Sequence, residues 1–513
     1  MLPQRCASTL VSFAAAILLA CVVPLHAQTK PQPAELARAR QLIEAGKLDD
    51  ARAALDRIIA SGSASPSAHF LLGTLLERQK DLAGAAAAYR TAIEKQPDMA
   101  RAHDRLGFVL GQQGATADAI EEFRRAVGLD PSLADAHYHL GATLWWTKQF
   151  DAAREPLDRA VRLRPTHAES RYYLGLTKRH QGDLTGAIAD LRQAIKSDPR
   201  LAVAHLQLGV ALLESGDLDA AVESLERAVA LDPSRADAGN SLGLALMQRG
   251  DAQRAVLTLR EVVARHPEFG SARLNLGNAL LQAGDLDGAV KEYRELTERE
   301  PENAEAFYDL GLALKQKDDF EGAEAALKTA TSLEKTTPEA PYTLGVVLWQ
   351  TGRADEAARL FREALARKAD YADAHYMLGT VLKQQGDAEG ALREFKETVR
   401  IHPASAEAYN SIAQLLRASH DEKGAAEALA EANRLNTIKA NSQAAVFAVN
   451  AGIEHLKRNQ IAAAIEKFRE AARLDPNSAD AHYQLATALK KSGALTEARA
   501  EFETAKRLRR NRQ

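Results

Sequence analysis

The chain has 513 residues, with 66 Lys and Arg against 69 Asp and Glu, so its charge marks neither a polyanion nor a polycation as a global partner. A hydrophobic fraction of 46% suits a folded chain, while an aromatic fraction of 5% suits small contacts rather than large globular cores. The only cysteines, Cys6 and Cys21, precede residue 28, which excludes disulfide staples, thiol catalysis and cysteine metal sites from the rest.

Residues 1–27 read as a secretory signal peptide. Arg5 gives a positive start, Leu10 to Val23 is apolar and uncharged, and Leu25-His26-Ala27 precedes Gln28 as a small-residue cleavage site. A second reading takes Leu18-Leu19-Ala20-Cys21 as a lipobox, with Cys21 lipidated. The apolar residues after Cys21 favour cleavage, which places the protein outside the cytoplasm, periplasmic or secreted. Residues 28–33 are a flexible lead-in, and beyond them no uncharged run approaches the roughly 20 residues a membrane span needs.

From there a 34-residue period governs the chain. A small residue recurs at Gly73, Gly107, Gly141, Gly175, Gly209, Gly243, Gly277, Gly311, Gly345 and Gly379; Ala39 and Ala413 extend the register, and Gly452 and Ala486 resume it after a break. Twelve residues after each stands an alanine, from Ala51 to Ala498. Between them many copies carry Gly-Asp, as at Gly216-Asp217. The glycine suits a left-handed helix end, and the aspartate can cap the next helix. A proline such as Pro97 or Pro233 then closes many copies. Each copy is a helix, a tight turn and a second helix. A mid-helix glycine costs roughly 1 kcal/mol against alanine, so close helix approach at the small positions must offset it.

With this pattern the chain resembles the tetratricopeptide repeat family, in copies beginning near Gln32, Pro66, Ala100 and onward to Ala479. The resemblance implies an all-α, right-handed superhelical solenoid of about 14 repeats, first helices lining a concave groove and second helices outside. The expected organisation is about 12 repeats over 34–439, inserted residues at 440–444, and two repeats over 445–513. The spacing from Ala413 to Gly452 is 39 residues. The five extra residues are either a hinge for the last two repeats or part of a longer first helix from Ser442 that packs rigidly.

Catalytic patterns are scarce. The sequence has no Gly-x-Gly-x-x-Gly, no Walker phosphate loop and no His-Glu-x-x-His. Gly239-Asn240-Ser241-Leu242-Gly243 matches a nucleophile elbow in letters alone, because it lies inside a predicted first helix rather than after a strand. His69, His103, His137, His205, His375 and His482 share one repeat position. Neighbouring copies would lie about 8–10 Å apart, too far for one metal. No enzyme, cofactor, metal or nucleic-acid reading follows, and the oligomeric state stays open. The basic tail from Lys506 to Arg512 reads as a solvated last turn favoured by the helix dipole, the alternative being contact with anionic lipid or polysaccharide.

Counting each copy's first residue as 1, the resemblance places position 5 on the concave side. It is aromatic at Phe70, Tyr138, Tyr172, Tyr308, Tyr342, Tyr376 and Tyr483, and position 12 carries Trp145 and Trp349. Such residues anchor interfaces, and the alternative is a packing role, since Tyr at position 5 is also a common packing residue of the family. Asn278 occupies position 9 of the family's carboxylate clamp, but its companions here are Leu274 and Asp309, so the clamp is broken. The expected function is a scaffold that binds an extended peptide or assembles envelope proteins. The alternative is a recruiting or regulatory arm of a glycosyltransferase or polysaccharide-export system.

Overall fold

The computed structural model describes residues 33–61 and 65–510. The signal peptide and nearly all of the lead-in lie outside the described residues; Pro33, the last of the lead-in, instead opens the first helix, where its missing N–H costs nothing. Every described element is a helix. In chain order they are α1 (Pro33–Glu44), α2 (Leu48–Ala60), α3 (Pro66–Arg78), α4 (Leu82–Lys95), α5 (Ala100–Gln112), α6 (Thr116–Leu129), α7 (Ala134–Trp146), α8 (Phe150–Leu163), α9 (Ala168–His180), α10 (Leu184–Ser197), α11 (Ala202–Ser215), α12 (Leu218–Leu231) and α13 (Ala236–Arg249). There follow α14 (Ala252–Arg265), α15 (Gly270–Gln282), α16 (Leu286–Arg299), α17 (Ala304–Gln316), α18 (Phe320–Leu333), α19 (Glu339–Gln350), α20 (Ala354–Arg367), α21 (Ala372–Gln384), α22 (Ala388–Ile401), α23 (Ala406–Ala418), α24 (Glu422–Lys457), α25 (Ile461–Leu474), α26 (Ala479–Ser492) and α27 (Leu495–Arg510).

Local chemistry sets these boundaries. Gly216 ends α11 at φ +82°, and the Asp217 carboxylate accepts the Ala220 N–H at 3.3 Å to open α12. Asp183, Asp285 and Asp387 cap in the same way, while Asp251 faces Arg254 instead. At the crossing inside each hairpin the position-20 alanines, Ala51 to Ala498, are all at most 3% exposed. The small residue at position 8 meets something larger than expected: the side chain at position 24. A Cβ on Gly107 would lie 2.9 Å from the Phe123 ring and 3.0 Å from the Ala119 carbonyl oxygen. At Gly107 the ring as well as the helix approach leaves no room for a Cβ.

The chain forms two compact units, up to Arg249 and from Gly250 on. In the first unit, first helices pack on the next first helix (α5 on α7, α7 on α9, α9 on α11); in the second, α17 packs on α19 and α19 on α21. Successive second helices do not pair to a comparable extent. First helices thus form the tighter, inner row of each unit.

The break in register has an unexpected form. Residues 440–444 lie inside α24, one continuous helix of 36 residues that serves as second helix of one repeat and first helix of the next. Position 28, aliphatic or Thr and at least half-buried from Ile59 to Val399, is exposed Asn433 here and exposed Lys506 in the last repeat. Position 3, a buried Ala or Ser from Ala68 to Ala408, is Phe447 at 76% exposure. Position 10, apolar or Thr from Leu75 to Leu415, is exposed Glu454. Asn433 on one face and Glu454 on the other are suited to water, while Phe447 is an exposed apolar side chain left without a stacking partner.

Candidate functional site

The inner row of the first unit holds a connected aromatic cluster on α7 and α9. Tyr138 meets His167 edge-on at 4.8 Å and Tyr173 at 6.1 Å between ring centroids. Trp145 meets Trp146 at 5.4 Å and Tyr173 at 5.6 Å, and Tyr172 meets Tyr173 at 5.1 Å. Burial, then the neighbouring Tyr173, pushes the Tyr138 phenol up to about 12; burial does the same to Tyr172. Trp145 is half-buried and its indole N–H is buried without a hydrogen-bond partner. Trp146, which the positional template passes over, is 68% exposed and donates its N–H to the Tyr173 hydroxyl at 2.9 Å. The doublets Trp145-Trp146 and Tyr172-Tyr173 were the sequence signal for both missed residues.

Phe70, earlier in this row, rests on Tyr89 at 5.6 Å. In the second unit Tyr342 stands 5.9 Å from the Phe361 ring and 5.1 Å from Tyr371, a loop residue the template also omits. Tyr376 rests on Phe395 at 5.6 Å, the Tyr308 hydroxyl lies 3.4 Å from that of Thr343, and Trp349 donates to Gln384 at 3.3 Å. Each of these four is half-buried, part packing and part surface. Asn278 is already engaged, its side-chain oxygen accepting from Tyr293 at 2.6 Å. Tyr483 is 41% exposed beneath the Arg509 guanidinium, 5.0 Å away, which gives one tail arginine a packing role.

The periodic histidines have a structural account. His103, His375 and His482 each place Nε2 about 3 Å from the carbonyl six residues earlier and Nδ1 against a glutamate nineteen later: Glu122, Glu394 and Glu501. At His103 the hydrogen bond to Glu122 raises the pKa against the opposing effect of burial. His137 finds Pro156 where the glutamate would be, so its Nδ1 is buried without a partner and burial lowers its pKa. Among the described residues no group of three His, Cys, Asp or Glu is placed to hold a metal, and no helix is long and apolar enough to cross a membrane.

Comparison with known proteins agrees with the period. A tetratricopeptide repeat profile matches residues 36–100, 144–202, 206–268, 240–297, 274–341, 342–406 and 376–437. A TPR repeat profile matches 109–145 and 452–493, and a further tetratricopeptide repeat profile matches 479–512. No curated protein matches the chain. Similar solved structures include MamA, 28% identical over 32% of this chain and 96% of its own, with a TM-score of 0.31. YrrB, described as a TPR protein with an unusual peptide-binding site, is 23% identical over 36% of this chain and 96% of its own, at 0.34. The APC/C hetero-tetramer Cut9-Hcn1 is 16% identical over 88% of this chain and 95% of its own, at 0.32. The repeat profiles span well over half of the sequence, and the chain belongs to the tetratricopeptide repeat family.

Proposed function

We propose that this protein is a non-enzymatic scaffold whose first-helix rows bind extended polypeptide. The observation that carries the reading is the placement of half-exposed aromatic side chains, with Trp146 the most open, along the inner row in both units. Tyr and Trp offer wide contact area at small entropic cost, and rows repeated helix after helix suit a strand-like ligand rather than a compact one. We propose further that the chain is exported, beginning at Gln28, on the strength of the segment from Arg5 to Ala27. Intact mass from the native host tests export: a start at Gln28 is expected, a lipid on Cys21 would favour anchoring, and a retained Met1 in the cytosol would exclude it.

Binding is tested by anisotropy with a pool of fluorescein-labelled, unstructured 12-residue peptides. Trp146→Ala and Trp349→Ala should each weaken it about tenfold, the scale of a lost aromatic anchor. Leu257→Ala, at an exposed second-helix site, should leave it unchanged. Equal loss from Leu257→Ala, or none from the tryptophan variants, would refute the inner-row assignment.

A further inference from the structure

The tyrosine row of the second unit sits in a different electrostatic setting from that of the first. Both units carry acids at position 2 of their first helices. In the first unit each faces a base: Asp135 pairs with Arg164 at 2.8 Å, Glu169 lies 3.3 Å from His167, and Asp237 pairs with Arg235 at 2.6 Å. Two of those bases stand two residues before the acid. The same places in the second unit hold Asn303, Thr337 and Tyr371 before Glu305, Glu339 and Asp373. None of these three acids, nor Asp309, has an ion-pair or hydrogen-bond partner among the described residues.

Asp373 and Glu339 lie near the rings of Tyr371 and Tyr342, while Asp309 follows Tyr308 on α17, half-buried, with Glu305 acting on it. Burial first, then Tyr342 and the charges of Asp373 and Glu339, holds the Tyr371 phenol above its ordinary range, and Asp373 acts likewise on Tyr342. Lys368 already lies over the Tyr371 ring, 5.9 Å from its centroid, Lys383 at the far end of α21 is occupied by Gln414 at 2.5 Å, and Lys315 stands at the corresponding far end of α17. An unbalanced acidic row beside aromatic faces is complementary to ammonium and guanidinium groups, which gain from both.

We propose that the segment of the second unit from Tyr308 to Tyr376 binds a basic extended polypeptide. Its Lys or Arg side chains would seat between the tyrosine rings and the carboxylates of Glu305, Asp309, Glu339 and Asp373. This rests on the inner-row reading above and adds the ligand's chemistry. Packed helices lie about 8–10 Å apart and an extended chain rises about 3.3 Å per residue, so one cation about every third residue matches the repeat.

The test uses the full chain and three fluorescein-labelled 12-residue Ser/Ala peptides: Lys at every third position, Glu at every third position, and the same lysines clustered at one end. The spaced-Lys peptide should bind at least about tenfold tighter than either other. Combining Asp309→Asn with Asp373→Asn should remove that preference, while Asp135→Asn in the first unit should not. Equal binding of all three peptides, still lost in Trp349→Ala, would overturn the charge assignment and leave the inner-row reading standing. Spaced-Lys binding unchanged in the double variant would also overturn it, since net charge elsewhere would then be the attraction. No binding of any peptide would overturn both.

Discussion

At the scale of single residues, two sites stand out because a partner is missing. His137 lacks the glutamate that His103, His375 and His482 have, and Pro156, which stands in its place, sits inside α8 where a proline costs about 3 kcal/mol. Pro156→Glu should therefore stabilise the protein by about 1–3 kcal/mol in urea melts. In the wild type, burial keeps His137 neutral, so stability is lost as pH falls below the ordinary histidine value. In the variant the new carboxylate raises the folded pKa, so the contribution is full below that value and fades as pH rises through the folded pKa. The gain should thus be larger at pH 5.5 than at pH 8, and equal gains would refute this account. Asp309 is the second site: burial, then Glu305, pushes its carboxyl up to about 6. Its ionised form costs stability above that pH, and the cost disappears as pH falls toward 4. Asp309→Asn should stabilise by about 1 kcal/mol at pH 7.5, after allowance for solvent screening, and by nothing at pH 4. The reverse trend would show that the carboxylate is held by an attractive contact.

At the scale of elements, the turns and α24 give separate expectations. Lys148 occupies the left-handed turn at φ 61°, where most copies have glycine. Lys148→Gly should raise stability by about 1 kcal/mol, the strain a side chain bears there; no gain would mean that lysine side-chain contacts offset it. In α24 the residues from Thr437 to Ala440 are all exposed, leaving a helical bridge with little packing to support it. Native-state trypsin should cut first at Arg434 or Lys439, and amide exchange should be faster there than in α23 or α25. Protection equal to those neighbours would show a rigid strut. The helices, their pairing and the Gly and Ala crossings were legible from the 34-residue period, because each small residue recurs where packing leaves no room. The bridging helix was less so: a five-residue insertion is compatible with a loop or a helix, and Asn433, Phe447 and Glu454 become informative only beside the packed faces of other repeats. Trp146, Tyr173 and Tyr371 escaped for a related reason, since a positional template marks one residue per turn while ring contacts spread to its neighbours. Nor could the unpaired acids of the second unit be read as such until the base facing each acid of the first unit was located.

At the scale of the whole molecule, the proposed binding is directional, with partners meeting the first helices and not the second. Repeats that couple mainly to neighbours spread binding along a row, so no single pocket has to hold the ligand. The most direct test is site-specific photo-crosslinking in the native host, with a photoreactive amino acid placed at Trp146, at Gln350 beside Trp349 on α19, or at Leu257 on α14. All three sites are exposed, so reactivity alone does not favour one. The account predicts discrete polypeptide adducts from Trp146 and Gln350, competed by excess spaced-Lys peptide at Gln350, and none from Leu257. Adducts from Leu257 with none from either first-helix site would contradict it.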